Sequence, residues 1–138
     1  MILLDTNVVS EAMKVEPAPA VLAWLNVSNT NELYLSAISI AEIAYGLQVL
    51  PEGKRRQLIG ARFVQFIERG FSNRTLAFDG PAAFTYGDIM AMTRSLGRSM
   101  SVPDGQIAAI AKLHGMSLAT RNISDFEATG LALINPWS

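Results

Sequence analysis

Met1-Ile2-Leu3-Leu4-Asp5-Thr6-Asn7 is the stretch on which the fold turns. A short apolar run that breaks on a carboxylate reads as a strand buried on both faces, as in a parallel sheet. Thr6 and Asn7 predict the cap of a helix beginning near Val8 and running to Met13. Asp5 then stands at the C-terminal end of a buried strand, the edge where open α/β sheets hold their ligands. Asp is also a common N-cap residue, and taken alone that role accounts for it equally well. The positions of the other acids separate the two readings.

Further along, Pro19 suits the first turn of a helix carrying Val21, Leu22, Trp24 and Leu25, and the polar loop 28–31 leads to a second strand at Leu33-Tyr34-Leu35. Ser39-Ile40-Ala41-Glu42 fits a capping box, with Ser39 at the N-cap and Glu42 at N3 of a helix bearing Ile40, Ile43, Ala44, Leu47 and Leu50. After Pro51-Glu52-Gly53, Lys54-Arg55-Arg56 opens a helix with an expected buried stripe of Leu58, Ile59, Phe63, Phe66 and Ile67. Thr75-Leu76-Ala77-Phe78 is the third strand. Asp79-Gly80-Pro81 starts a long helix ending at Gly97, a glycine placed for a C′ position. Pro103-Asp104-Gly105 opens an alanine-rich helix to His114-Gly115, Ser117-Leu118-Ala119 is the fourth strand, and residues 131–134 form a last, edge strand. Strands alternating with helices imply a mostly parallel sheet covered on both faces.

At 138 residues the chain fits one domain, and with half of it apolar, 17% charged and a mean hydropathy of +0.26 it has the composition of an ordered core. A net charge of −1 provides no bulk positive field for nucleic acid, so any such binding rests on local patches. The absence of cysteine excludes disulfides, thiolate metal sites and cysteine nucleophiles, and one histidine cannot build a histidine-rich metal site. No apolar run approaches membrane-spanning length and the first residues lack the basic start of a signal peptide, so the expected location is the cytoplasm.

The acids line up on this frame. Asp5 follows strand one, Glu42 lies in the first turn of its helix, Asp104 opens the alanine-rich helix, and Asn122 with Asp125 follows strand four. In a parallel sheet these positions converge on one edge. Carboxylates gathered there repel one another, and the usual neutraliser is a hard divalent cation bound through oxygen, Mg²⁺ or Mn²⁺. Such an ion activates water and clamps a phosphate oxygen, as phosphodiester hydrolysis requires.

Leu4-Asp5-Thr6-Asn7, Ser39-Ile40-Ala41-Glu42, Asp104-Gly105-Gln106-Ile107-Ala108-Ala109 and Thr120-Arg121-Asn122-Ile123-Ser124-Asp125-Phe126 resemble the four signatures of PIN-domain ribonucleases. The resemblance is strongest to the VapC toxins of bacterial type II toxin–antitoxin pairs, in particular FitB-like members with Asn135-Pro136-Trp137 near the C-terminus. It covers essentially the whole chain and implies a single PIN domain over 1–138, a three-layer α/β/α sandwich with a four- or five-stranded sheet. It further implies a Mg²⁺- or Mn²⁺-dependent endoribonuclease of the bacterial cytoplasm, a homodimer, silencing by a cognate antitoxin, and contact with DNA only through that antitoxin. The RNA implied is a structured one such as a tRNA, cut at an exposed single-stranded loop. Carried over, Asp5, Glu42 and Asp104 hold the metal, with Thr6 and Thr120 orienting bound water. Many relatives have a fourth acid where this chain has Asn122, and Asp125 is the candidate to replace it, its other reading being a cap for the turn at Phe126.

Arg74, Arg98 and Arg121 are candidates to line an RNA path, Arg121 also to neutralise the adjacent acids. His114 reads as a helix-end cation and Met90, Met92 and Met100 as core or dimer filler. An alternative function is a non-cleaving module whose acidic pocket receives an antitoxin's Lys or Arg within a DNA-bound repressor. A phosphorylation receiver also gathers acids at strand ends, but it needs a late-strand lysine where this chain offers only Arg121.

Overall fold

The alternating pattern folds, in a computed structural model describing all residues 1–138, into one five-stranded sheet. The strands are β1 (Ile2–Leu4), β2 (Leu33–Ser36), β3 (Thr75–Leu76), β4 (Ser117–Ala119) and β5 (Leu133–Ile134). Every pairing is parallel and the order is β3-β2-β1-β4-β5, so β1 is central and β5 an edge. Chain order reverses between β1 and β4, which makes the gap beyond their C-terminal ends the topological switch point.

Seven helices fill the crossovers: α1 (Thr6–Ala12), α2 (Pro19–Val27), α3 (Ala37–Gln48), α4 (Lys54–Gly70), α5 (Gly80–Ser95), α6 (Val102–Leu113) and α7 (Ile123–Phe126). Successive residues of a strand face opposite ways, and the core divides accordingly. Leu3 and Leu118 pack with Ile89, Ile107, Ile110 and Phe126 on the α5/α6 face. Leu4, Leu33, Leu35 and Ala119 pack with Val8, Val9 and Phe71 on the face covered by α1, α2 and α4. This is the expected three-layer sandwich. Helix α3 touches both α1 and α6 and so bridges the two layers.

Several local expectations shift. Asp5, not Thr6 or Asn7, caps α1: its Oδ1 accepts the Thr6 amide at 2.8 Å and the helix begins at Thr6. Ser36, not Ser39, caps α3, accepting the Ser39 amide at 3.1 Å. Glu42 therefore lies in the second turn rather than at N3, because the strand runs directly into the helix without a loop. Helix α6 is capped by Ser101 and starts at Val102, which puts Asp104 at its third position. Of the stripe expected on α4 only Phe63 is buried, and Leu58 is 58% exposed. Gly97 holds the left-handed φ of +69° expected after α5. Gly105 serves a different need: a Cβ there would lie 2.4 Å from Met90 Sδ and 3.0 Å from Tyr86, so its hydrogen lets α6 close onto α5 beside Asp104.

Candidate active site

The carboxyl edge of β1 and β4 is built from side chains that tie the two strands together. Asp5 is buried, 4% exposed. Its Oδ2 accepts the Thr120 hydroxyl at 2.8 Å, which spans the switch point, and the Asn7 side-chain amide at 3.4 Å. Thr120 is itself fixed, its Oγ1 accepting the Asn122 backbone N–H at 3.0 Å. Asn7 Oδ1 in turn accepts the Arg121 backbone N–H.

Glu42 is brought to the same edge by Thr6, whose hydroxyl donates to Glu42 Oε1 at 2.7 Å and lies 2.9 Å from Ser39 Oγ. The expected role of Thr6 as a water-orienting group gains a definite partner: it holds Glu42 over the start of α1. Asp104, half-buried, faces a cavity of about 460 Å³ together with Ser101, Ser124, Asp125 and Arg98.

The electrostatics show that these acids sense one another. Burial pushes the Asp5 carboxyl up to about 6, against the pull of its Thr120 and Thr6 hydrogen bonds, and the charges of Asp104 and Glu42 push it further the same way. Asp104 is also raised, chiefly by burial, with Asp125 and Glu42 adding repulsion against the Ser101 hydrogen bond. Neither acid forms an ion pair: the two salt bridges are Lys14–Glu11 and Arg98–Glu127.

A hard cation suits this set. Every donor is an oxygen, the charges are unneutralised, and the repulsion among them is what a divalent ion would relieve. No three acids close up into a preformed ligand cage. Mg²⁺, which takes one or two direct carboxylates and keeps several waters, does not require such a cage.

Asp5, Glu42, Asp104 and Asp125 thus lie within electrostatic reach of one another: Asp104 and Glu42 act on Asp5, and Asp125 and Glu42 act on Asp104. Asn122 precedes α7 without a side-chain cap bond, and its backbone N–H is spent on Thr120. Asp125, not Asn122, is the group whose charge reaches Asp104. Arg121 does not pair with the acids; its guanidinium lies 5.1 Å over the Trp137 ring. Arg74 is structural, donating to the Leu33 and Gly70 carbonyls and lying over Phe71, so it lines no path. His114 is the C-cap residue of α6, away from the acids' contacts. The sequence reading named Asn7 and Ser39 as helix caps and left Ser36 without a role, so none of the three was given a place at the site.

Comparison with known proteins agrees with this construction. Residues 2–130 match the family model described as the PIN domain. The chain is 47% identical to VapC ribonuclease Y4jK of Sinorhizobium fredii, over 99% of this chain and 98% of that protein. It is 41% identical to toxin FitB of Neisseria gonorrhoeae over 99% of each. A solved structure of FitAB bound to an IR36 DNA fragment superposes with a TM-score of 0.94 at 41% identity, over all of this chain and 96% of that one. A five-stranded parallel sheet with acids at its switch point, matched along nearly its whole length, makes the chain a member of the PIN-domain family.

Proposed function

We propose that the protein is a metal-dependent endoribonuclease, the toxin of a toxin–antitoxin pair, with Asp5, Glu42 and Asp104 as the ligands of Mg²⁺ or Mn²⁺. The observation that carries this reading is the cluster of repelling, unpaired acids at the switch point, with Asp5 raised to about 6. The similar proteins, one a ribonuclease and one a toxin by name, support the same activity. When bound, the ion supplies Lewis acidity that lowers the pKa of a water and screens the phosphate charge. The chain supplies placement. Thr120 holds Asp5 in a single orientation through a buried hydrogen bond, Thr6 holds Glu42, and the Ser101 cap fixes the backbone of Asp104. Asp125 adds the fourth carboxylate from the short α7.

The partner follows from a second feature. Between α1, α3 and α4 lies a groove of about 480 Å³ with Met13, Ile43 and Leu58 in its wall and Lys14, Arg55 and Arg62 on its border. It opens beside Thr6 and Glu42. Leu58 and Ile59 of the α4 stripe line this groove, whereas Phe66 and Ile67 pack on the core, and an antitoxin segment with apolar and acidic side chains completes it. A basic side chain of that segment, reaching the acids, gains charge-assisted hydrogen bonds of roughly 1.5–3 kcal/mol each. DNA is then met through the antitoxin, since this chain has no positive field of its own. Phe84, 83% exposed on α5, offers an apolar contact to a second copy.

Purified protein incubated with total RNA should release mapped fragments in Mg²⁺ and none in chelator, and Asp104→Asn should be inactive in both. Cleavage that persists in chelator would refute the metal role. Partner binding without any cleavage would favour the non-cleaving repressor module instead.

A further inference from the structure

We propose that Arg121, stacked on Trp137, is the seat for a nucleobase and phosphate of the single-stranded RNA flanking the cut. The inference rests on the ribonuclease reading and extends it to a residue that holds no metal.

The acids at the switch point repel phosphate, and the whole chain carries a net charge of −1, so the strand needs a local cation to approach. Lys14, Arg55 and Arg62 border the groove given above to the antitoxin, and the other arginines that the sequence singles out differ in their freedom. Arg74 is committed to the Leu33 and Gly70 carbonyls. Arg98 donates to the Ser124 carbonyl at 2.6 Å and pairs with Glu127 at 3.6 Å. Arg121 is exposed, makes no ion pair and donates no side-chain hydrogen bond. Glu11 is close enough to feel its charge, but that carboxylate is already bonded to Lys14 Nζ and the Ala18 amide, each at 3.0 Å.

Position favours Arg121 as well. It follows Thr120, the residue bonded to Asp5, and its own backbone N–H is held by Asn7. Its guanidinium is preorganised over Trp137, 5.1 Å from the ring centroid. Trp137 is a firm base: half-buried against the α1/α4 face of the core, it follows buried Pro136, and its backbone N–H donates to Asn135 Oδ1 at 2.9 Å. The guanidinium carbon lies over the indole and the group donates no hydrogen bond, so its N–H donors and its outward side are open to a ligand. A flat cation with one open π-face and free donors matches a base stacked on it and a phosphate beside it. Only an unpaired strand presents its base that way.

The test is fluorescence anisotropy with a short labelled single-stranded RNA of mixed sequence, in chelator so that nothing is cut, at several salt concentrations. Arg121→Gln should weaken binding about threefold to tenfold and reduce the salt slope by roughly 0.7, one phosphate contact on a single strand. Arg121→Lys should restore the slope but not the affinity, because an ammonium cannot stack as a guanidinium does. Trp137→Leu, with its fold checked by melting, should weaken binding with the charge intact. Equal affinity of wild type and Arg121→Gln overturns the inference, and so does full rescue by lysine. A variant that binds RNA normally but loses its antitoxin assigns the stack to the protein partner and overturns it too. Wild-type protein with neither RNA affinity nor Mg²⁺-dependent cleavage sinks the ribonuclease reading itself; intact cleavage with an indifferent Arg121 sinks only this extension.

Discussion

Replacing Thr120 by Val removes the one buried hydroxyl that bridges β4 to Asp5, leaving Oδ2 with only the 3.4 Å contact to Asn7. A hydrogen bond to a charged group contributes about 1.5–3 kcal/mol. Since one pKa unit corresponds to about 1.4 kcal/mol, its loss raises Asp5 by roughly one to two units. Starting from about 6, that carries the carboxyl past neutrality. A protonated Asp5 is a poor ligand for a hard cation, so the acid limb of the kcat/KM profile for RNA cleavage, measured at sub-saturating Mg²⁺, should move to higher pH by the same amount. Thr120→Ser keeps the hydroxyl and should leave the limb where it is. The stability of the metal-free protein gives an independent reading. Asp5 has a folded pKa above its ordinary value of 3.8, so the folded state binds the extra proton. Stability of the metal-free protein therefore rises as pH falls from neutral through about 6 toward 3.8, a gain of about 3 kcal/mol from this group. Thr120→Val should widen that difference. An acid limb unmoved in the Val variant, or moved equally in the Ser variant, would refute the coupling of Thr120 to Asp5.

Asp104 is raised in the same direction, so Asp104→Asn should increase the melting temperature in chelator while abolishing the stabilisation that Mg²⁺ gives the wild type; unchanged responses in both arms would reduce Asp104 to an ordinary first-turn helix acid. Asp125→Asn should weaken Mn²⁺ binding in a titration followed by electron paramagnetic resonance, since the Asp125 charge acts on Asp104. Gly105→Ala should cost about 1–3 kcal/mol in urea unfolding, because its methyl meets Met90 and Tyr86. Phe84→Asp should shift a dimer toward monomer in sedimentation while leaving the melting temperature nearly unchanged, as the side chain is 83% exposed.

The sheet was legible because Leu3, Leu4, Leu33, Leu35 and Leu118 lie in short apolar runs that only a doubly covered strand explains. The gathering of acids was legible for a related reason: position at a strand end is a property of chain order, which topology then maps to one edge. The start of α3 was not. Ser36-x-x-Ser39 and Ser39-x-x-Glu42 are both acceptable capping patterns, and the choice falls to Ser36 because β2 runs directly into α3, which leaves Glu42 free to accept the Thr6 hydroxyl. The α4 stripe misled because periodicity records that a helix face needs cover without recording whether the cover belongs to the same chain. Arg121 misled similarly: beside acids in sequence, it turns toward an aromatic ring sixteen positions further on.

The central placement of β1 has a consequence in time. Asp5 is made well before its partner, for the hydroxyl that fixes it belongs to a residue 115 positions later. At synthesis rates of about 5–20 residues per second, between about 6 and about 23 seconds separate the two. Through that interval β1 can pair with β2 on one side, while the side that β4 will occupy is still unmade. The carboxylate edge closes only once Thr120 has been made, so a nascent or prematurely terminated copy carries the first acid without the site. An enzyme that destroys RNA is thereby kept unarmed while it is still being read from one.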